Sequence, residues 1–228
     1  MKYFVGIDEA GRGPTLGPLV LAASLCTKED KDFFKAQGVT DSKLLSLTKR
    51  DALKKLIQEK TQYAITKASP EKIDKALINP SSSLTYLEAD MTVTLLKKFL
   101  KIISQKEHKD VHVMIDLPSK NKESYLSYIK TKLQNNKVII NAEFKADLHH
   151  VEVGAASILA KTTRDAAIRQ AEKKLKIAIG SGYPSDPYTK KALEQHLKVL
   201  EDAKLVRTTW QTIKNLKNKK SQKLLDSF

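Results

Sequence analysis

The chain has 228 residues, of which 41% are hydrophobic and 29% charged, and its 41 Lys and Arg against 26 Asp and Glu give a formal net charge of +15. That length and apolar content suit one large domain, or a domain with an appendage, and do not mark a disordered chain. No apolar run approaches the ~20 residues of a membrane-spanning helix, and a single cysteine, Cys26, excludes an internal disulfide.

The basic excess favours a polyanionic partner, nucleic acid or an acidic membrane surface, without choosing between them. An apolar run opens the chain, so no signal peptide is expected. Cys26 sits in an apolar run and reads as a small buried hydrophobe. A reducing, cytoplasmic location is the expectation.

Tyr3-Phe4-Val5-Gly6-Ile7 reads as a buried strand that ends in two adjacent carboxylates, Asp8 and Glu9. Gly11-Arg12-Gly13-Pro14 then makes a tight turn into a second apolar run, Leu19 to Ala23. Acids at the end of a buried strand are costly unless a cation meets them, and Mg²⁺ is commonly held by one or two carboxylates with phosphate oxygens and water. The glycines leave backbone N–H groups accessible, and Arg12 adds a phosphate-seeking fork. A solvated, inert hairpin tip is the alternative.

Residues 28–60 read as polar helix interrupted at Asp41-Ser42-Lys43, with Ser46 or Thr48 capping the second part. Residues 61–68 alternate as a strand, and Pro70 opens a short helix to Leu77. After a turn at 79–83, Leu84, Leu87, Met91, Leu95, Phe99 and Ile102 mark a long helix with a core stripe, on which Glu88 and Asp90 are expected to be surface acids. Val111 to Ile115 is a strand ending in Asp116, followed by a helix over 122–133. Residues 137–142 form another strand, followed by Asp147. Small residues from Val153 lead into a helix to about Lys176. Gly180 to Pro187 is a loop, Tyr183 within it being either a packed aromatic or functional, and 189–200 is a helix. From Ala203 to Leu225 there are seven Lys or Arg and no acid. Trp210 among them is either part of a nucleic-acid surface or a core anchor.

This order predicts an α/β fold, a mixed sheet flanked by helices with a C-terminal helical extension. The expected division is a catalytic domain at 1–178, a helical region at 179–216 beside the active site, and a basic tail at 217–228. Asp8, Glu9, Asp116 and Asp147 lie at strand ends or just beyond. Converging there, they would need divalent cations. Two metals ~4 Å apart suit in-line attack on a phosphodiester. HExxH and CxxC are absent, arguing against zinc. A phosphate-binding GxxxxGK[ST] loop is absent too, and Ser157-x-x-Lys161 has no companion motif.

GIDEAGRGP (Gly6 to Pro14), TDSKLL (Thr40 to Leu45), FKADLHHVEVGAASILAKTTRD (Phe144 to Asp165) and GSGYPSDP (Gly180 to Pro187) together resemble the ribonuclease HII family, in its archaeal form, over nearly the whole chain. The resemblance implies a ribonuclease H-like fold. It implies an endonuclease, dependent on Mg²⁺ or Mn²⁺, that cuts RNA in RNA/DNA hybrids and nicks 5′ to single ribonucleotides in duplex DNA, leaving 3′-OH and 5′-phosphate ends in replication and repair. It makes Asp8, Glu9, Asp116 and Asp147 the metal-binding catalytic acids and Gly11, Arg12 and Gly13 the reader of the ribose 2′-OH. Lys43 becomes a phosphate contact, and Tyr183 stacks on the deoxy sugar at the junction. Asp165 is read as the partner of a nearby cation. Two departures from the family pattern, LPSKN after Asp116 and the Ser81-Ser82-Ser83-Leu84 helix start without asparagine, remove no carboxylate. Gln222, Leu225 and Phe228 form QxxLxxF, similar to sliding-clamp docking peptides; a frayed basic tail is the alternative. A monomer without membrane contact is expected. A non-catalytic basic nucleic-acid-binding protein, or type 3 ribonuclease H specificity, is the competing reading.

Overall fold

The computed structural model describes residues 2–103, 110–134 and 138–225. The chain runs through β1 (Lys2–Ala10), β2 (Leu19–Cys26), α1 (Lys28–Ala36), α2 (Leu47–Lys60), β3 (Gln62–Ala68), α3 (Pro70–Ile78) and α4 (Leu84–Ile103). It continues through β4 (Asp110–Asp116), α5 (Lys122–Leu133), β5 (Val138–Glu143), α6 (Ala146–His149), α7 (Val151–Leu175), α8 (Pro187–Asp202) and α9 (Gln211–Leu225).

Local chemistry sets several boundaries. Thr27 and Asp30 cap α1 reciprocally, each side chain accepting the other's backbone N–H. Ser46, not Thr48, starts α2 by accepting the Lys49 N–H. The Asp186 carboxylate accepts the Tyr188 and Thr189 N–H groups, so α8 opens at Pro187, two residues before the expected start.

The chain packs into two compact units. The first comprises Met1–Ala10, Val20–Lys67 and Thr85–Thr163. It holds the mixed five-stranded sheet, ordered β3-β2-β1-β4-β5, with helices packed on it. β1 is antiparallel to β2 and parallel to β4, and β4 is parallel to β5 through α5. β2 is buried at every position, which is why it reads as a continuous apolar run. Val20, Ala22, Phe34, Leu53, Ile57, Ile158 and Leu159 form the core between sheet and helices. The start of α7 lies on β1 so closely that a Cβ at Gly6 would stand 2.1 Å from the Glu152 carbonyl carbon. Ser24 Oγ donates to the Glu152 carbonyl at 2.7 Å from the neighbouring strand. Gly6 is thus a glycine because the backbone of α7 occupies the space a side chain would need.

Glu88 is not on the surface as expected but fully buried on α4. The helix is buried over a wide arc, with Glu88-Thr92-Leu96 and Ala89-Val93 beside Leu87-Met91-Leu95-Phe99, and only the last row stands out as a long apolar stripe. Asp90 is exposed, as expected, and accepts from the Tyr128 hydroxyl.

The second unit comprises Gly11–Leu19, Ala68–Leu84 and Arg164–Phe228. Leu16, Ile168, Ile179, Leu193, Leu197, Val206 and Ile213 form its core, with Trp210 packed against it. Asp74 on α3 accepts from both the backbone and hydroxyl groups of Thr208 and Thr209. Among the described residues no helix is long and apolar enough to cross a membrane.

Candidate active site

Three of the four predicted acids converge in the first unit. β1 and β4 run parallel with Ile7 opposite Ile115, so Asp8 and Asp116 come next on adjacent strands at the same level. β5 places Glu143 opposite Asp116. The chain then turns at Lys145, φ 57°, into α6, which carries Asp147. That turn is tied to the acids, because the Ala146 N–H donates to Asp116 Oδ1 at 2.9 Å.

The electrostatics follow from this crowding. Asp8 is 5% exposed. Burial, then the charges of Asp116 and Glu9, push its carboxyl well above the usual range. A hydrogen bond from Ser157 and one from the Glu9 N–H, 2.6 Å away, act the other way. Burial raises Asp116 too, against the N–H groups of Ala146 and Lys145 and the charge of Lys43. Asp147 is pushed up to about 6, first by burial and then by the charges of Asp41 and Asp116. Burial works against the ammonium of Lys43, but Asp41, Asp8, Asp147 and Asp116 outweigh it, so its pKa rises. Lys43 therefore feels four carboxylates, three of them predicted as metal ligands. Glu9 is half-buried and enters the site through its charge and backbone N–H on Asp8.

Two residues at this site were missed from sequence. Asp41 lies in the DSK motif, from which only Lys43 was selected. Its carboxylate accepts the Lys43 N–H at 2.8 Å, and its charge lies close enough to raise the Asp147 carboxyl. Ser157 lies in the quoted α7 motif. Its hydroxyl bonds Asp8 and stands 3.0 Å from the Ser42 hydroxyl.

Among the described residues no group of three or more His, Cys, Asp or Glu forms a ready-made metal cage. The donors nevertheless fit a hard divalent cation. Mg²⁺ takes one or two carboxylates and fills the remaining positions with water and phosphate oxygens. The charge of Asp116 raises the cost of ionising Asp8, which a cation between them would relieve. The oxygen-only set suits Mg²⁺ or Mn²⁺ and not zinc.

The other predicted residues gather in the second unit. Gly11 has φ 90°, and a Cβ there would lie 2.5 Å from the Pro18 carbonyl oxygen, so only glycine fits. A Cβ at Gly13 would stand 3.5 Å from the Tyr183 ring, which places the turn beside this tyrosine. Tyr183 is 37% exposed, and the buried Arg164 guanidinium lies 5.6 Å from its ring centroid. Arg164 also pairs with Asp165 at 3.3 Å, the cation partner expected for that acid. Thr15 and Leu16 N–H groups both donate to the Gly182 carbonyl, joining the turn to the GSGYP loop. Arg207 also reaches this turn, from a basic stretch with no pattern that marks it. Of the tail motif, Gln222 is exposed on α9 and Leu225 ends that helix, while Phe228 lies outside the described residues.

Comparison with known proteins shows the family. The family model described as Ribonuclease HII matches residues 5–213. A curated Ribonuclease HII of Thermococcus sibiricus is 42% identical over 216 residues, covering 94% of this chain and 91% of its own. The crystal structure of ribonuclease H2 from Pyrococcus horikoshii superposes with a TM-score of 0.80 at 33% identity, covering 95% of this chain and 98% of that one. RNase HII of Archaeoglobus fulgidus, solved as a complex with PCNA, has a TM-score of 0.77 at 29% identity, over 91% and 95% of the two chains.

Proposed function

The chain belongs to the ribonuclease HII family, and from that membership we propose that it hydrolyses the RNA strand of RNA/DNA hybrids and nicks duplex DNA 5′ to a single embedded ribonucleotide. The observation that carries the chemistry is the pair of buried Asp8 and half-buried Asp116, set side by side by strand register and joined by Asp147 and Lys43. Water attacks phosphorus, the bond to the 3′ oxygen of the preceding nucleotide breaks, and the products are a 3′-OH and a 5′-phosphate.

Asp8, Glu9, Asp116 and Asp147 would hold two Mg²⁺ or Mn²⁺ ions. Bound there, the ions would make water nucleophilic and stabilise charge on the leaving oxygen. Ser157 holds Asp8 by a hydrogen bond, and the Asp41 carboxylate beside Asp147 adds to the negative charge that a cation would offset. Lys43 meets a phosphate oxygen, and its ammonium offsets the acids before metal and substrate arrive. The backbone N–H groups of Gly11 to Gly13 read the 2′-OH, the group that separates RNA from DNA at one nucleotide. Arg12 adds a phosphate contact, and Tyr183 stacks on the following deoxy sugar. The surplus of Lys and Arg holds the remaining backbone, so binding weakens steeply with salt.

The biological setting we propose is removal of ribonucleotides and RNA primers in replication and repair, by a cytoplasmic monomer. The tail residues Gln222, Leu225 and Phe228 would dock on a sliding clamp. Support for this comes from the Archaeoglobus relative, solved with PCNA. Incubation with a uniform RNA/DNA hybrid tests the reaction class. The reading predicts cleavage with Mg²⁺ or Mn²⁺ and none with EDTA. Tight, salt-sensitive binding without cleavage in any metal would make the chain a binding protein instead.

A further inference from the structure

The Gly11–Arg12–Gly13 turn is held from one side by a single segment. Arg207 is completely buried. Its guanidinium donates Nη2 to the Gly11 carbonyl at 2.5 Å, Nη1 to the Arg12 carbonyl at 2.9 Å and Nε to the Gly17 carbonyl at 3.1 Å. Trp210 Nε1 donates to the Gly13 carbonyl at 3.2 Å, and its ring centroid lies 4.8 Å from the Arg207 guanidinium carbon. The Arg207 N–H donates to the Thr15 carbonyl, anchoring the segment to the chain just beyond the turn.

These contacts dictate where the N–H groups point. In a planar trans peptide the N–H is directed opposite to the C=O, and the turn has no cis bond. With the Gly11 and Arg12 carbonyls drawn toward Arg207, the Arg12 and Gly13 N–H groups face away from it. The third carbonyl precedes Pro14, which has no N–H. A glycine-rich turn left to itself can flip its peptides, and each flip would put a C=O where an N–H had been. Arg207 opposes this with one planar, permanently charged fork. Burying that charge is costly, and three carbonyl hydrogen bonds and the Trp210 ring offset it here.

We propose that Arg207, assisted by Trp210, is the positioning residue that makes the glycine turn selective for ribose over deoxyribose. It holds the Arg12 and Gly13 N–H groups in the orientation that meets a 2′-hydroxyl oxygen. This rests on the reading of the turn as the 2′-OH sensor.

The test measures affinity at fixed salt for two duplexes of one sequence, one with a single ribonucleotide and one with its deoxy counterpart. Asp8→Asn in the full chain suppresses turnover in every variant. Arg207→Gln and Arg207→Lys, checked for folding by circular dichroism, should lower the ribose-to-deoxyribose affinity ratio about tenfold. Affinity for the all-DNA duplex should stay within about twofold, because the phosphate contacts that set it are untouched. Trp210→Phe keeps the ring, loses the donor, and should lower the ratio a few-fold. It carries the test if the Arg207 variants do not fold. A general loss of structure would weaken both duplexes together and leave the ratio unchanged, and that result in folded variants overturns the proposal. A ratio of one in the Asp8→Asn parent would remove the sensor reading itself, and the proposal with it.

Discussion

Asp8 and Asp116 come directly after Ile7 and Ile115, which pair across the parallel strands β1 and β4. Two carboxylates placed in register by a sheet cannot move apart without breaking the ladder. Their repulsion is built into the fold and is available to a cation.

Removing one of these charges should separate activity from stability. Asp8→Asn should lower kcat with Mg²⁺ by at least about 100-fold, since even outer partners of a metal ligand are worth 10- to 100-fold. The metal-free protein should melt a few degrees higher, because a buried charge whose pKa is raised is lost. Calorimetry with EDTA and single-turnover kinetics with Mg²⁺ check the two halves.

The pH dependence has a definite sign. Asp147 rises from 3.8 to about 6 in the folded state, so the folded protein binds more protons than the unfolded chain within that window. Its contribution to stability is greatest below pH 4 and is lost as pH rises through about 6. The melting temperature of Asp147→Asn minus that of wild type, in EDTA, should therefore grow between about pH 4 and 6 and level off above it. Saturating Mg²⁺ should shrink the difference. A difference that stays flat with pH would contradict this account of Asp147.

Ser157 orients Asp8. The Ser42 hydroxyl lies 3.0 Å from Ser157, whose own hydroxyl bonds the Asp8 carboxyl. Ser157→Ala should reduce kcat/KM about tenfold, as loss of an outer partner of a ligand does. Stability should fall by only about 1 kcal/mol. Titration of Mg²⁺ activation should show a higher midpoint than wild type.

Gly6→Ala should be the most damaging small substitution in the sheet. The new methyl would meet the backbone of Glu152 and Val153 at 2.1–2.4 Å, and a backbone cannot rotate aside as a side chain can. A loss of about 3 kcal/mol or more is expected from such overpacking, read as a lower urea midpoint or as insoluble expression.

How much of this was legible beforehand differs by element. The alternation in β4, the unbroken apolar run of β2 and the capping serine of α2 report local geometry, and local geometry is written locally. The carboxylates at strand ends were legible for the same reason: an acid closing an apolar run stands out. Glu88 was misplaced because a helix buried over a wide arc has further rows that need not be apolar. Asp41 and Ser157 lay in recognised motifs, but their roles depend on side chains brought together from 41, 147 and 157, which no single stretch displays. Arg207 was the least legible. It sits among other basic residues, and only a fold that returns residue 207 to residue 11 distinguishes a buried fork from a solvated charge.

The decisive substrate is a DNA duplex carrying one ribonucleotide, labelled at the 5′ end of that strand and incubated with Mg²⁺ and, separately, EDTA. A single metal-dependent nick is expected immediately 5′ to the ribonucleotide, with a 3′-OH on the labelled fragment. Cleavage of long RNA/DNA hybrids with the embedded ribonucleotide left intact would contradict it, and would show that the turn at Gly11 to Gly13 does not suffice to recognise a lone 2′-hydroxyl.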